Sequence, residues 1–120
     1  MDYDGKCRWL HGHNYVMKVG LSDSNLDDRG FVRDFGEVKK EIKEFIDEHI
    51  DHGMILNSLD YEWIDILRKK ENRVYTIEGN PTAENMAKHF YYIFKGKFPE
   101  ISYIILGETP TSVAYYSEEK

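Results

Sequence analysis

The sequence predicts an α+β domain in which an antiparallel four-stranded sheet carries two amphipathic helices on one face. Segments with alternating polar and apolar residues occur near both ends of the chain, and segments with apolar residues at helical spacing lie between them. Two hairpins and two helices in this order are typical of a sheet with its helices on one side. With 120 residues, of which 41% are hydrophobic, the chain is expected to form a single domain over residues 1–120.

Five segments of the chain predict strands. In the first of them, apolar side chains recur at every second position from Tyr15 to Leu21 and would share one face. Gly30 ends a polar turn, so that the residues after it would form the strand that returns from a hairpin. The predicted strands are residues 14–21, 31–33, 73–78, 101–106 and 112–116.

Two helices are predicted from their capping residues and apolar stripes. Asp34, followed three residues later by Glu37, forms a capping-box arrangement, and Gly53 is expected to end this helix in the left-handed conformation. Thr82 is the N-cap of the second helix, and Gly96 is expected to end it. The expected stripes are Phe35, Val38, Ile42, Phe45, Ile46 and His49 in the first helix, and Ala83, Met86, Ala87, Phe90, Ile93 and Phe94 in the second.

Residues 54–72, between these helices, are harder to assign. Trp63, Ile64 and Leu67 would line one face of a short helix there. The sheet face that the helices leave uncovered is rich in aromatic and apolar residues. Because such a face needs a partner in water, we expect a homo-oligomer.

The composition argues against several classes of partner and location. The formal charge of −6 and the pI of about 5.3 argue against binding to nucleic acid or to an anionic membrane surface. No apolar run is long enough to span a bilayer, and we expect no secretory leader. The single cysteine cannot form an intrachain disulfide, so that a reducing, cytoplasmic location is expected.

The segment His11-Gly12-His13 is a candidate metal site. In an extended strand, residues two apart point to the same face, so that both imidazoles can bind one ion. Cys7 lies four residues upstream of the pair and is close enough to share the site. Taken alone, two histidines on an exposed strand face are the commoner explanation, and a lone cysteine is more often a small buried apolar residue.

Three further groups can carry chemistry. Asp51 can orient the adjacent imidazole of His52 for general acid or base catalysis, although a polar helix end explains the pair as well. Glu108, at the end of an apolar strand, can accept two N–H bonds from an amidine-like heterocycle edge or be an ordinary exposed acid. Thr82 and Glu84 stand where the start of a helix could receive an anionic or polar group, although helix initiation alone explains both.

In their order along the chain, these motifs resemble the 6-pyruvoyl-tetrahydropterin synthase and 6-carboxytetrahydropterin synthase family. Each motif is modest by itself, but the set in this order is highly specific. The resemblance runs over most of the chain, and residues 58–73 are its least similar stretch. The matching motifs are Cys7 with His11-Gly12-His13-Asn14-Tyr15, Gly30-Phe31-Val32-Arg33-Asp34-Phe35, Asp51-His52 with Leu56-Asn57, Asn80-Pro81-Thr82-Ala83-Glu84-Asn85, and Glu108-Thr109 with Tyr115.

The resemblance implies a tunnelling fold, in which the sheets of three subunits join into a barrel and two trimers stack as a hexamer. Active sites of such proteins lie between subunits and hold zinc on three histidines. The family's roles then fall on the candidates above: His11 and His13 as zinc ligands, Cys7 as the catalytic cysteine, Asp51 and His52 as the pair that works opposite it, and Glu108 as the carboxylate that grips the pterin ring.

The implied reaction is the zinc-dependent conversion of 7,8-dihydroneopterin triphosphate to 6-carboxy-5,6,7,8-tetrahydropterin. It releases acetaldehyde and triphosphate and belongs to the 7-deazaguanine (queuosine) pathway. The alternatives are the pyruvoyl-forming synthase of biopterin synthesis and a non-catalytic pterin-binding protein. An acidic chain that binds a triphosphate needs local positive charge, for which Lys6, Arg8 and Lys18 are the candidates.

The third zinc ligand is a departure from the family pattern. The family's first zinc histidine lies on an opening strand upstream of the cysteine, whereas Cys7 here has only six residues before it. We interpret the sequence as a shortened version of a longer chain that lacks part of the first strand. The alternative is a member with a weakened metal site, unless Asp2 or Asp4 substitutes for the missing histidine.

Overall fold

The computed structural model describes residues 15–22, 35–109 and 112–118. Within these ranges the chain forms five strands and three helices. In chain order they are β1 (Val16–Leu21), α1 (Phe35–His49), β2 (Met54–Asn57), α2 (Tyr61–Lys69), β3 (Val74–Ile77), α3 (Ala83–Lys97), β4 (Ile101–Thr109) and β5 (Ser112–Tyr116). Both predicted long helices, the short helix expected around residues 63–67 and four predicted strands are confirmed. The remaining predicted strand, residues 31–33, and the predicted cap Asp34 lie outside the described residues.

The main sheet is antiparallel and has β4 in its centre, between β1 and β5. Val19 of β1 pairs with Ile104, and Tyr115 of β5 pairs with Ile105. Because side chains alternate along a strand, Ile104 points to the core and Ile105 to the opposite face. The predicted antiparallel sheet and the hairpin at its end are confirmed, and the described part of this sheet has three strands where four are predicted.

Helix α3 packs against β4 and β5 and supplies much of the core. Phe90 and Phe94 are each 3% exposed, and their rings stack with centroids 5.8 Å apart. The predicted stripe is wrong at Ile93, which is 39% exposed, whereas Tyr91 is 1% exposed. The buried arc is centred on Phe90 and Phe94, so that Ile93 lies at its margin. Burying each such aromatic side chain contributes about 1.5–3 kcal/mol.

Helix α1, which precedes α3 in the chain, contributes to the same core. Val38 and Ile42 are buried, and Phe45 meets the ring of Phe94 edge-on at 5.4 Å between centroids. Phe35, the first residue of the helix, is 63% exposed, so that the predicted stripe begins at Val38 instead. The two long helices therefore bury one common apolar surface.

A second, two-stranded sheet was not predicted. Strands β2 and β3 are parallel, with Met54 opposite Val74 and Asn57 opposite Ile77. A parallel pair needs a crossover connection, and α2 provides it. The prediction of an antiparallel sheet with two helices is therefore incomplete, because four consecutive residues at 54–57 are too few to show a periodic pattern.

Both predicted glycine stops are wrong. Helix α1 ends at His49, and the left-handed residue beyond it is His52, with φ 59°, rather than Gly53. Gly96 lies inside α3, which continues to Lys97. A Cβ at Gly96 would meet no atom within 4 Å, so that this position is open. Glycine in an exposed helix costs only about 1 kcal/mol, which the packed face of α3 outweighs.

The face of the main sheet that points away from the core is apolar and exposed. Val16, Val113 and Tyr115 are 64%, 55% and 64% exposed. Tyr103 stacks on Tyr115 with ring centroids 5.4 Å apart and lies directly over Gly20, where a Cβ would be 2.0 Å from the Tyr103 ring. The described residues on this face thus include exposed apolar side chains, together with the exposed Lys18.

In the described part of the chain, no helix has the length and apolar character that crossing a membrane requires.

Candidate active site

Asp51 and His52 form a carboxylate–imidazole pair just beyond the end of α1. Nδ1 of His52 lies 3.0 Å from Oδ2 of Asp51, at hydrogen-bonding distance. With its proton on Nδ1, the ring donates to the carboxylate and presents Nε2 to the solvent. The side chains of His52 and Asp51 are 92% and 55% exposed, so that a bound molecule can reach the imidazole. The predicted contact between these residues is therefore present.

The backbone holds His52 in an uncommon conformation. Its φ of 59° lies in the left-handed region, which costs a residue with a side chain about 1–3 kcal/mol. The N–H of Gly53 donates to the carbonyl of Ile50 at 2.8 Å and closes a tight turn around the pair. This turn, rather than a glycine stop, directs the imidazole away from the protein body.

A charged depression surrounds the pair. Its walls carry Asp47 and Asp51 from the end of α1, and Glu71, Asn72 and Arg73 from the segment before β3. Nη1 of Arg73 donates to the carbonyl oxygens of Asp47 and Asp51, at 2.6 Å and 2.9 Å. Arg73 is not among the predicted site residues, because nothing in the sequence indicates that a residue 22 positions from Asp51 would return to it.

Thr82 and Glu84 lie at the start of α3. The hydroxyl oxygen of Thr82 accepts a hydrogen bond from the backbone N–H of Asn85 at 3.1 Å, which confirms the predicted N-cap. Glu84 is exposed in the first turn of the helix. Both side chains are therefore accounted for by helix initiation, and Glu84 remains accessible from solvent.

An asparagine network fixes the loop that leads into α3. The Nδ2 group of Asn57 donates to Oδ1 of Asn80 at 3.1 Å, and Nδ2 of Asn85 donates to the carbonyl of Asn80 at 2.9 Å. The N–H of Thr82 donates to the same carbonyl at 2.8 Å. Gly79, with φ 90°, makes the turn that allows this arrangement. The network ties the end of β2 to the start of α3.

The parallel sheet separates the two groups of candidate residues. Asp51 and His52 precede β2, whereas Thr82 and Glu84 follow β3. Because these strands run in the same direction, the two groups lie at opposite ends of the pair, and the strands alone span about 10 Å. The structure therefore does not bring the four side chains into one compact cluster within a chain.

The remaining predicted site residues are Cys7, His11, His13 and Glu108. Cys7, His11 and His13 fall outside the described residues. Glu108 belongs to β4, which continues to Thr109, beyond the predicted end of this strand at residue 106, and the pairing with β5 shifts register between Gly107 and Thr109. Such irregularities re-aim the chain at the edges of binding sites. Among the described residues, no group of three or more His, Cys, Asp or Glu side chains is placed to hold a metal ion.

Another histidine, His89, packs within the protein, in contrast to the exposed His52. Nε2 of His89 lies 2.5 Å from the hydroxyl of Tyr75, and both groups are partly buried. Burial lowers the pKa of His89 below its usual value and raises the pKa of the Tyr75 hydroxyl. Both groups are therefore neutral at pH 7. Because Tyr75 also meets the rings of Phe45 and Phe90, this pair belongs to the core.

The exposed carboxylate–imidazole pair supplies the groups that acid–base chemistry on a small molecule requires. The chain belongs to the 6-pyruvoyl tetrahydropterin synthase family, whose family model matches residues 1–119. A 6-carboxy-5,6,7,8-tetrahydropterin synthase of Rickettsia felis is 37% identical over 114 residues, which cover 90% of this chain and 83% of that protein. A protein of the same name in Aquifex aeolicus is 35% identical over 126 residues, covering 95% and 77%.

Solved structures are similar in fold. An uncharacterized protein from Wolinella succinogenes superimposes with a TM-score of 0.77 at 27% identity, covering 94% of this chain and 81% of that one. The 6-pyruvoyl tetrahydropterin synthase of Plasmodium vivax gives a TM-score of 0.67 at 18% identity, covering 94% and 83%. The second likeness concerns the fold alone. The chain thus has the mixed α/β fold, with an antiparallel sheet, of these proteins.

Proposed function

We propose that this chain is an enzyme that converts 7,8-dihydroneopterin triphosphate and water to 6-carboxy-5,6,7,8-tetrahydropterin, with release of acetaldehyde and triphosphate. This is a lyase reaction of the queuosine pathway. Relatives that bear this product's name and match most of the chain support the proposal. The observation that carries it is the exposed Asp51–His52 pair, which leaves one imidazole nitrogen open for proton transfer.

His52 is the general acid or base of the proposed reaction. Its Nδ1 is occupied by the carboxylate of Asp51, so that Nε2 gives or takes the proton. Cys7 takes the other proton, as a thiolate held near a cation. In this proposal one group removes a proton from the substrate side chain while the other delivers a proton to it.

Three acidic or polar residues complete the proposed substrate site. Glu108, near the end of β4, accepts N–H bonds from the edge of the pterin ring. Thr82 and Glu84 bind polar groups of the substrate at the start of α3, which the asparagine network keeps rigid. Lys18, which is exposed on β1, is a candidate for the triphosphate together with Lys6 and Arg8.

Zinc is the proposed metal. Two imidazoles at His11 and His13 are donors of the kind that zinc takes in catalytic sites, and Asp2 or Asp4 can supply a carboxylate as a third ligand. When bound, zinc supplies a Lewis acid for the hydroxyl groups of the substrate side chain. The chain's own residues then do the proton transfer and the binding.

The proposed assembly is a trimer or hexamer with the tunnelling fold. The exposed apolar face that carries Val16, Val113 and Tyr115 supports an assembly, because such a face is costly in water. The separation of Asp51 and Thr82 within one chain supports sites formed between subunits.

One family model over residues 1–119 supports a single domain, and the lone cysteine supports a reducing, cytoplasmic location.

One preparation tests the proposed enzyme. We expect the purified protein to have a native mass three or six times the chain mass of 14.2 kDa, to contain zinc, and to consume 7,8-dihydroneopterin triphosphate. Light scattering, metal analysis by mass spectrometry and a turnover assay measure the three properties. A zinc content near zero together with no turnover would contradict the enzyme and favour a non-catalytic pterin-binding protein. Removal of zinc with a chelator should abolish turnover, and added zinc should restore it.

A further inference from the structure

Arg73 links the segment before β3 to the end of α1. Its guanidinium nitrogen Nη1 donates two hydrogen bonds, at 2.6 Å to the carbonyl of Asp47 and at 2.9 Å to the carbonyl of Asp51. The two NH₂ hydrogens of one nitrogen can serve two acceptors at a fixed angle. The second acceptor belongs to the peptide that joins Asp51 to His52.

The end of α1 leaves these carbonyls in need of a donor. The N–H of Asp51 donates to Ile46, five residues back, at 2.8 Å. In a regular helix, this N–H would instead donate to Asp47. The carbonyl of Asp47 therefore loses its usual partner, and Arg73 replaces it. A cation is also favourable at the negative end of the helix dipole.

The backbone and stem of Arg73 hold the neighbouring residues as well. The carbonyl of Arg73 accepts a hydrogen bond from the N–H of Met54 at 2.9 Å. A Cβ at Gly53 would lie 2.9 Å from Cγ of Arg73, so that the stem passes directly over this glycine. Arg73 thus contacts the chain both before and after His52, the residue in the left-handed conformation.

We propose that Arg73 is a positioning residue for the reaction: it fixes the Asp51–His52 peptide and thereby the direction of the His52 imidazole. The inference rests on the proposed function, because Arg73 acts through His52. A residue with a left-handed backbone can also adopt other backbone conformations, and each of them would point the His52 imidazole in a different direction. Two hydrogen bonds to the carbonyls at the helix end keep the one conformation in which Asp51 and His52 are paired.

The substitution Arg73→Met tests this role. Methionine keeps an apolar stem over Gly53 but has no donor for the two carbonyls. We expect kcat to fall about 10- to 100-fold, since small misplacement of a reacting group costs this much, while KM changes less than about 3-fold. Arg73→Lys should recover most of kcat, because an ammonium group can donate to both carbonyls. Arg68→Met, an exposed arginine at the end of α2, is the matched control for loss of charge.

A double substitution separates positioning from general damage. In a His52→Ala background, measured by single turnover with excess enzyme, Arg73→Met should cause no further loss, because the group it positions is gone. An equal loss in both backgrounds, or a kcat for Arg73→Met equal to that of Arg68→Met, would overturn the proposal. Circular dichroism checks the fold; if Arg73→Met does not fold, Arg73→Gln enters the same comparison, with the same deciding outcomes.

These variants also distinguish a failure of the proposed acid–base pair from a failure of the proposed role of Arg73. If His52→Ala alone keeps full turnover, the proposed acid–base pair is wrong, and the role of Arg73 is overturned with it. If His52→Ala loses turnover and Arg73→Met behaves like Arg68→Met, only the positioning role is overturned.

Discussion

Replacing His52 by alanine is expected to lower kcat by about 100- to 10,000-fold, the range that one positioned acid or base contributes. The imidazole is 92% exposed and makes its hydrogen bond with Asp51, so that its removal leaves no cavity in the core. The free energy of unfolding should therefore change little. Steady-state kinetics and thermal unfolding of the same preparation measure both effects.

His49→Ala is the matched control, because it removes an imidazole three residues earlier, at the last residue of α1. Its ring packs at 4.7 Å from the ring of Phe45, and its side chain is 46% exposed. We expect this variant to lose some stability but to keep kcat within about 3-fold, since loss of partial packing does not touch the reacting atoms. The kcat of Asp51→Asn should lie between those of His52→Ala and His49→Ala. Equal activity of His52→Ala and His49→Ala would contradict the proposed role of His52.

Replacing Cys7 by alanine is expected to abolish measurable turnover while zinc remains bound. The thiolate is the proposed partner of His52 in proton transfer, and alanine has no group that can exchange a proton. The proposed zinc ligands, His11 and His13, are separate residues, so that metal analysis should give the same zinc content as the unsubstituted protein. Unchanged turnover would refute the role of Cys7.

Thiol alkylation gives an independent test of the same residue. The chain has one cysteine, so that iodoacetamide labels a single known position. Labelling should inactivate the enzyme, and bound substrate should slow both labelling and inactivation equally. Full labelling without loss of turnover would contradict a role for the Cys7 thiol in the reaction.

Much of the fold could be predicted from the sequence, because its long elements carry a clear period. Helix α3 has both a capping threonine at Thr82 and a wide apolar stripe, and both are present in the structure. Strand β2 was missed, since its four residues are stabilised by pairing with β3 rather than by a local pattern. Short parallel pairs depend on a partner that is distant in the sequence, and local periodicity cannot reveal them.

The helix ends could not be predicted from glycine positions alone. Gly53 was expected to supply the left-handed residue after α1, and His52 has that conformation instead. Gly53 is needed for another reason, because the stem of Arg73 passes over it and leaves no room for a Cβ. A contact of this kind joins residues from different elements, which the sequence does not place together.

The candidate site was predictable only in part for a similar reason. Asp51 and His52 are adjacent in sequence, and their hydrogen bond is present. The hydrogen bond from Arg73 to Asp51 joins residues 22 positions apart, and the bond between Asn57 and Asn80 joins residues 23 positions apart. Only the fold shows that these residues meet. Adjacent chemistry can be read from a motif, whereas the groups that hold it in place come from tertiary structure.

The ratio of acetaldehyde to triphosphate released from 7,8-dihydroneopterin triphosphate tests the central claim most directly. A carboxy-forming synthase removes the terminal carbons of the side chain, so that each triphosphate released is accompanied by one acetaldehyde. We therefore expect equal amounts of the two products, together with 6-carboxy-5,6,7,8-tetrahydropterin. Triphosphate released without acetaldehyde would contradict the claim and identify the pyruvoyl-forming reaction, and release of neither product would contradict catalysis itself.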